Sequence, residues 1–108
     1  MGFCWGGGLA VRAAQVLDID AGIAFYDTRL ADRMNAPLKA PFLAHFGARD
    51  DHAPEDLRNQ VIAYFPGIEA HVYDAGHAFA NDARPAHVPE AADLAHARTE
   101  AFLKRTIG

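Results

Sequence analysis

Apolar and polar positions in this chain fall into blocks whose period changes from one block to the next. Residues 8–17, GLAVRAAQVL, are rich in helix formers, and Leu9, Ala13, Val16 and Leu17 share one face at helical spacing. They predict a helix just behind a cluster of glycines. Residues 21–27, AGIAFYD, form a short apolar run bounded by aspartates, which predicts a buried strand. Residues 28–40 read as a loop with one helical turn, framed at its end by Pro37 and Pro41. Residues 41–47, PFLAHFG, predict a second buried strand. The polar stretch ARDDHAPED follows, and Pro54 is placed to open a helix through Phe65 that Pro66 and Gly67 stop. Residues 68–76, IEAHVYDAG, alternate and predict a strand with a more exposed face. A polar loop spans 76–89. Residues 89–105 form an amphipathic helix with Ala92, Leu94, Ala95, Ala101, Phe102 and Leu103 on its apolar side.

The order helix, strand, loop, strand, helix, strand, helix is an α/β pattern with a parallel sheet and crossover helices. The 108 residues suffice for one domain, 1–108, and 51% hydrophobic residues supply a core. Three strands make a thin sheet, however. Buried parallel strands call for helices on both faces and neighbours on both edges, so further strands are expected before Met1. A formal net charge of −4 argues against non-specific nucleic-acid binding. No apolar run approaches the roughly 20 residues that cross a bilayer, and no basic n-region marks a signal peptide. One cysteine, Cys4, allows no internal disulfide and fits a reducing, cytoplasmic setting.

That cysteine lies in MGFCWGGGLA, with Gly2 two positions before it and Gly6 two after. A nucleophile raised on a sharp strand-to-helix turn needs small residues at those positions, because the chain nearly touches itself there. A helix starting at this point would aim its amides and dipole at the sulfur and favour the thiolate, with the Trp5 N–H as an oxyanion donor. The stretch reads equally well as a glycine-rich turn holding a small apolar cysteine. It is no phosphate loop, since G-x-x-x-x-G-K-[ST] is absent. A thiol nucleophile needs a base, and the base an orienting acid. Asp50 and Asp51 follow the second strand directly, and His77 follows the third. Alone, each aspartate reads as a loop residue or helix cap, and His77 as an exposed turn histidine. Their joint order at successive strand ends favours a triad. His45 lies inside a strand, His71 alternates with Val72, and His87 and His96 fall in the last loop and helix. His52 is the nearest rival base. Asp50, Asp51 and His52 lack the spacing of a metal site.

Taken together, GFCWGG, PFLAHFGARDDHAP, VYDAGHAFAND and the tail AADLAHARTEAFLKRTI resemble the dienelactone hydrolases (carboxymethylenebutenolidases). The resemblance implies a partial α/β-hydrolase fold, the C-terminal half, with N-terminal strands absent. It implies a Cys4–Asp50–His77 triad, with Asp50 preferred to Asp51 because the family's acid stands three residues after the loop glycine, here Gly47. It implies hydrolysis of a small ester or lactone through a thioester acyl-enzyme, with no cofactor and no metal. The family's earlier strands, including the one that leads into the elbow, are expected to be absent, and with them the second oxyanion donor and an acidic partner of the resting thiol. Its substrate-gripping arginine, four residues after the histidine, is Asn81 here, with Arg84 three further on. These two are the substrate-binding candidates, and the change argues against dienelactone itself. A different class of reading is a catalytically silent fragment or interaction module that completes its sheet with a partner chain, or with a copy of itself through exposed sheet edges. A Cys-elbow amidotransferase fits less well, because such enzymes carry a His and an acid close together near the chain's end.

Overall fold

The computed structural model describes residues 1–3, 5–17, 19–26, 34, 36–50, 53–65, 67–81 and 88–106. The elements are β1 (Gly2–Phe3), α1 (Trp5–Val16), β2 (Gly22–Phe25), β3 (Phe42–Gly47), α2 (Glu55–Tyr64), β4 (Glu69–Tyr73) and α3 (Pro89–Thr106). All four strands are parallel, in the order β1-β2-β3-β4. The α/β pattern expected from the chain is therefore the architecture observed. Of the expected loops at 28–40 and 76–89, residues 28–33, 35 and 82–87 lie outside the described residues.

One strand more is present than the hydrophobic pattern predicts. β1 pairs Gly2 with Ala24 and Phe3 with Phe25. Two residues carry no period, so such a strand becomes legible only when β2 supplies its hydrogen-bonding edge. The glycine cluster thus follows a strand, and Cys4 is the single position between that strand and α1. α1 starts at Trp5, three residues earlier than expected, and runs through Gly6, Gly7 and Gly8. Each glycine costs a helix about 1 kcal/mol relative to alanine. Val11 and Ala14, both buried against the sheet, supply the packing that offsets it.

Strand alternation divides the core into two layers. Ala24, Phe42, Ala44 and Phe46 face α1 and α2, meeting Val11, Ala14 and Val61. Ile23, Phe25 and Leu43 face the other way and meet Ala95 and Phe102 of α3. Helices therefore cover both faces, as buried parallel strands require.

A polar residue interrupts the second layer. His45 is fully buried in β3, and its ring bridges Tyr73 Oη at 2.8 Å from Nδ1 and Thr99 Oγ1 at 2.9 Å from Nε2. One neutral imidazole donates at one nitrogen and accepts at the other, so both neighbours are satisfied without charge. Burial lowers its pKa from 6.5 to about 3, helped by the nearby His71, Arg98 and His96 and opposed by Glu69. His45 thus pins β4 and α3 to β3 from inside the core.

Candidate active site

Parallel strands bring their carboxyl ends to one edge, and the chain leaves β3 and β4 there into two adjoining loops. Their seam continues past the strands. The Ala48 N–H donates to Tyr73 O at 2.7 Å, and the Arg49 N–H to Ala75 O at 3.0 Å. The next residue on one side is Asp50, and two residues further on the other side is His77.

Asp50 is held by its own backbone. Its N–H donates to Gly47 O at 3.2 Å, and its carbonyl accepts from the Ala53 N–H at 3.1 Å. Its carboxylate is fully buried, and Oδ2 accepts from His77 Nδ1 at 2.7 Å. An ionised carboxylate only accepts, so Nδ1 carries the proton and Nε2 is the nitrogen that can take one. The His77 side chain keeps 19% of its surface accessible. An imidazole held in this way has the arrangement that general-base chemistry requires. Surface charge contributes little alongside: Arg49 and Asp74 meet at 3.3 Å, but both side chains are more than half exposed.

Tyr26, which no pattern in the chain singles out, packs on His77. It is buried just past β2, with φ of 38°, in the left-handed region that a bulky side chain rarely enters. Its ring meets the His77 ring edge-on at 5.3 Å, Phe79 at 5.3 Å and Phe3 at 5.9 Å. One aromatic ring therefore touches both His77 and the residue just before Cys4.

Two glycines permit close approaches. A Cβ on Gly2 would collide with the backbone of Gly6 and Gly7, as a tight strand-to-helix turn demands. At Gly6 a Cβ would meet nothing within 4 Å, so the need for a small residue falls on Gly2. At Gly47 a Cβ would lie 2.5 Å from Ala75 O and 2.7 Å from Gly76 O. The histidine loop rests directly on this glycine. Gly47→Ala is expected to cost about 1–3 kcal/mol of stability by overpacking. Gly76→Ala, where a Cβ meets nothing within 4 Å, is expected to cost far less. Urea denaturation of the two variants side by side checks the contrast.

Of the residues singled out from the chain, Asp50 and His77 are brought together. Cys4 and Arg84 lie outside the described residues, as do Asp51 and His52. Trp5 is the first residue of α1, and exposed Asn81 follows the turn that bears His77, its N–H donating to Ala78 O at 3.0 Å. No group of three metal-ligating side chains forms among the described residues, and no described helix is long and apolar enough to cross a membrane.

The same arrangement of strands and helices occurs in solved hydrolases. A Klebsiella pneumoniae protein provisionally identified as a dienelactone hydrolase matches with a TM-score of 0.83 and 29% identity, over 96% of this chain and 50% of that one. An esterase from Pyrococcus furiosus matches in fold with a TM-score of 0.72 at 21% identity, over 99% of this chain and 52% of that one. The fold is that of the α/β-hydrolases. A carboxymethylenebutenolidase of Pseudomonas sp. strain P51 is 34% identical over 110 residues, which are 97% of this chain and 46% of that protein. A carboxymethylenebutenolidase of Pseudomonas putida is 32% identical over 109 residues, 95% of this chain and 46% of that protein. The chain spans about half the length of the relatives it matches. The model of the dienelactone hydrolase family matches residues 1–107, and with it the resemblance carried by the three motifs becomes membership: this chain belongs to the dienelactone hydrolase family.

Proposed function

We propose that this chain carries the nucleophile, base and acid of a hydrolase acting on small ester or lactone bonds, in the persons of Cys4, His77 and Asp50. The observation that carries the reading is the 2.7 Å bond from His77 Nδ1 to the buried Asp50 carboxylate, formed at the strand ends where a nucleophile after β1 would meet it. Family membership and the carboxymethylenebutenolidase relatives support the substrate class.

In this scheme His77 Nε2 takes the proton of the Cys4 thiol, and the sulfur attacks the carbonyl carbon. The oxyanion accepts a hydrogen bond from the Trp5 N–H, a donor of a kind worth about 3 kcal/mol in the transition state. Collapse breaks the C–O bond, and His77 returns its proton to the leaving oxygen. Water, deprotonated by His77, then attacks the thioester and restores the thiol. Asp50 keeps the imidazole in one tautomer and steadies its charged form. Asn81 and Arg84 are the residues proposed to meet the acyl portion of the substrate. No step needs a metal or cofactor. A nucleophile that must stay a free thiol fits a reducing compartment, the cytoplasm.

The test is alkylation. Iodoacetamide is expected to modify Cys4, located by mass spectrometry, with esterase activity falling in step with labelling. Full labelling with activity retained would sink the triad. A second reading, sheet completion by a partner chain or by another copy, is favoured by β1. It has two residues, stands at the edge of the sheet and leaves Phe3 39% exposed. A doubled mass by light scattering together with no ester hydrolysis would favour that reading.

A further inference from the structure

We propose that Arg58 is a positioning residue that clamps the loop bearing Asp50 and so keeps the carboxylate aimed at His77. The proposal rests on the reading of Asp50 and His77 as acid and base. In α2 Arg58 and Val61 are buried and Leu57 packs partly against the core, and at 8% exposure Arg58 is buried where an apolar side chain would be the ordinary choice. Its neighbours Asn59 and Gln60 are exposed, so a solvent-facing place on the same helix was available. A guanidinium is costly to bury unless its N–H groups are met. Nη1 is met by loop carbonyls. Nη1 donates to Ala53 O at 2.9 Å and reaches Gly47 O and Ala48 O at 3.5 Å each.

Those acceptors stand on both sides of Asp50. Gly47 and Ala48 lead into the loop, and Ala53 leads out of it. Gly47 O is also the acceptor of the Asp50 N–H, and Ala53 donates its own N–H to Asp50 O. Arg58 therefore ties together the two ends of a backbone turn whose middle is the acid. The entry side is already fixed to β4 through the Ala48 and Arg49 amides. The exit side leads through Pro54 directly into α2, and besides the Ala53 N–H bond to Asp50 O it is bonded back by Arg58. The planar, multi-donor head suits several carbonyls at once, which a lysine ammonium on its shorter reach serves poorly.

Arg58→Ala and Arg58→Lys, made in the chain as it stands and followed by NMR, test this. In Arg58→Ala the amide protons of Asp50 and Ala53 are expected to exchange about tenfold faster, the loss of roughly one hydrogen bond's protection. The low-field His77 Nδ1 proton, identified by its absence in His77→Gln, is expected to vanish, while the amides of β2 keep their protection. Millimolar guanidinium, filling the vacated space, is expected to restore both signals where equal sodium chloride does not. Arg58→Lys is expected to fall between. Unchanged exchange at Asp50 and Ala53 overturns the clamp. So does general loss of protection across the sheet, and so does a loss that guanidinium fails to reverse. If the His77 proton is missing in the unaltered chain while Asp50 and Ala53 still answer to Arg58→Ala, the clamp stands and the acid–base reading fails.

Discussion

His77→Ala is expected to lower kcat/KM for an activated aryl ester by about 10³–10⁴-fold, the usual scale of a general base. The loss falls on kcat, because the imidazole moves a proton in the transition state and does not hold the substrate. Asp50→Asn is expected to do nearly as much harm. An amide at that buried position can present an N–H to Nδ1, which turns the ring's proton toward Nε2 and leaves the base without a lone pair there. The bond at issue is the 2.7 Å contact from Nδ1 to Oδ2. A second readout needs no turnover: the rate at which iodoacetamide alkylates Cys4 near neutral pH. Removal of His77 is expected to slow it, since the thiolate and not the thiol reacts. Equal alkylation rates in the parent chain and in His77→Ala would separate the histidine from the thiol.

Acid is expected to destabilise the fold through His45. The folded chain holds this ring neutral, with its pKa lowered from 6.5 to about 3, chiefly by burial. The unfolded chain binds a proton there first. The stabilisation is therefore complete above pH 6.5 and is lost as pH falls from 6.5 toward 3. At 1.36 kcal/mol per pH unit, a gap of that width amounts to on the order of 5 kcal/mol. The groups around the ring are Glu69, His71 and Tyr73 of β4 and His96, Arg98 and Thr99 of α3. Glu69 acts in the same sense at lower pH. Hydrogen bonds from His71 and Arg105 hold its carboxyl below 4.5, so its contribution is lost as that carboxyl takes up a proton. Urea midpoints measured from pH 7 to pH 4 check the slope. His45→Gln, which cannot titrate, is expected to be less stable at pH 7 and to lose about one proton's worth of the pH dependence. An unaltered slope in that variant would remove His45 as the cause.

The site was legible where chemistry and chain order coincide. Asp50 follows an apolar run and His77 an alternating one, both read as strands of a parallel sheet, and such strands bring successive ends to one edge. Element boundaries came out close for the same reason: β3 was expected at 41–47 and is Phe42–Gly47, and α3 was expected at 89–105 and is Pro89–Thr106. β1 was not legible, because two residues have neither periodicity nor propensity enough to declare a strand. Tyr26 was not legible either. An aromatic residue at the end of a buried run looks the same whether it packs on a core phenylalanine or on a catalytic imidazole. His45 reads only as a histidine inside a strand, and no pattern in the chain singles out Arg58.

What the linear order of residues settled by itself is the layered α/β plan and the family, and it put forward Cys4, Asp50 and His77 as candidates, because hydrophobic period and motif spacing are properties of neighbours in the chain. What only the folded molecule decided is how the acid is held. Gly47 must lack a side chain because Ala75 O and Gly76 O approach it from another loop. His45 is held neutral chiefly because another strand and another helix bury it, with Tyr73 and Thr99 meeting its two nitrogens. Arg58 faces inward because the carbonyls on either side of Asp50 lie within its reach. Each of these depends on groups far apart in sequence and within a few ångströms in space, where burial makes a hydrogen bond obligatory and leaves no room for an unmet charge.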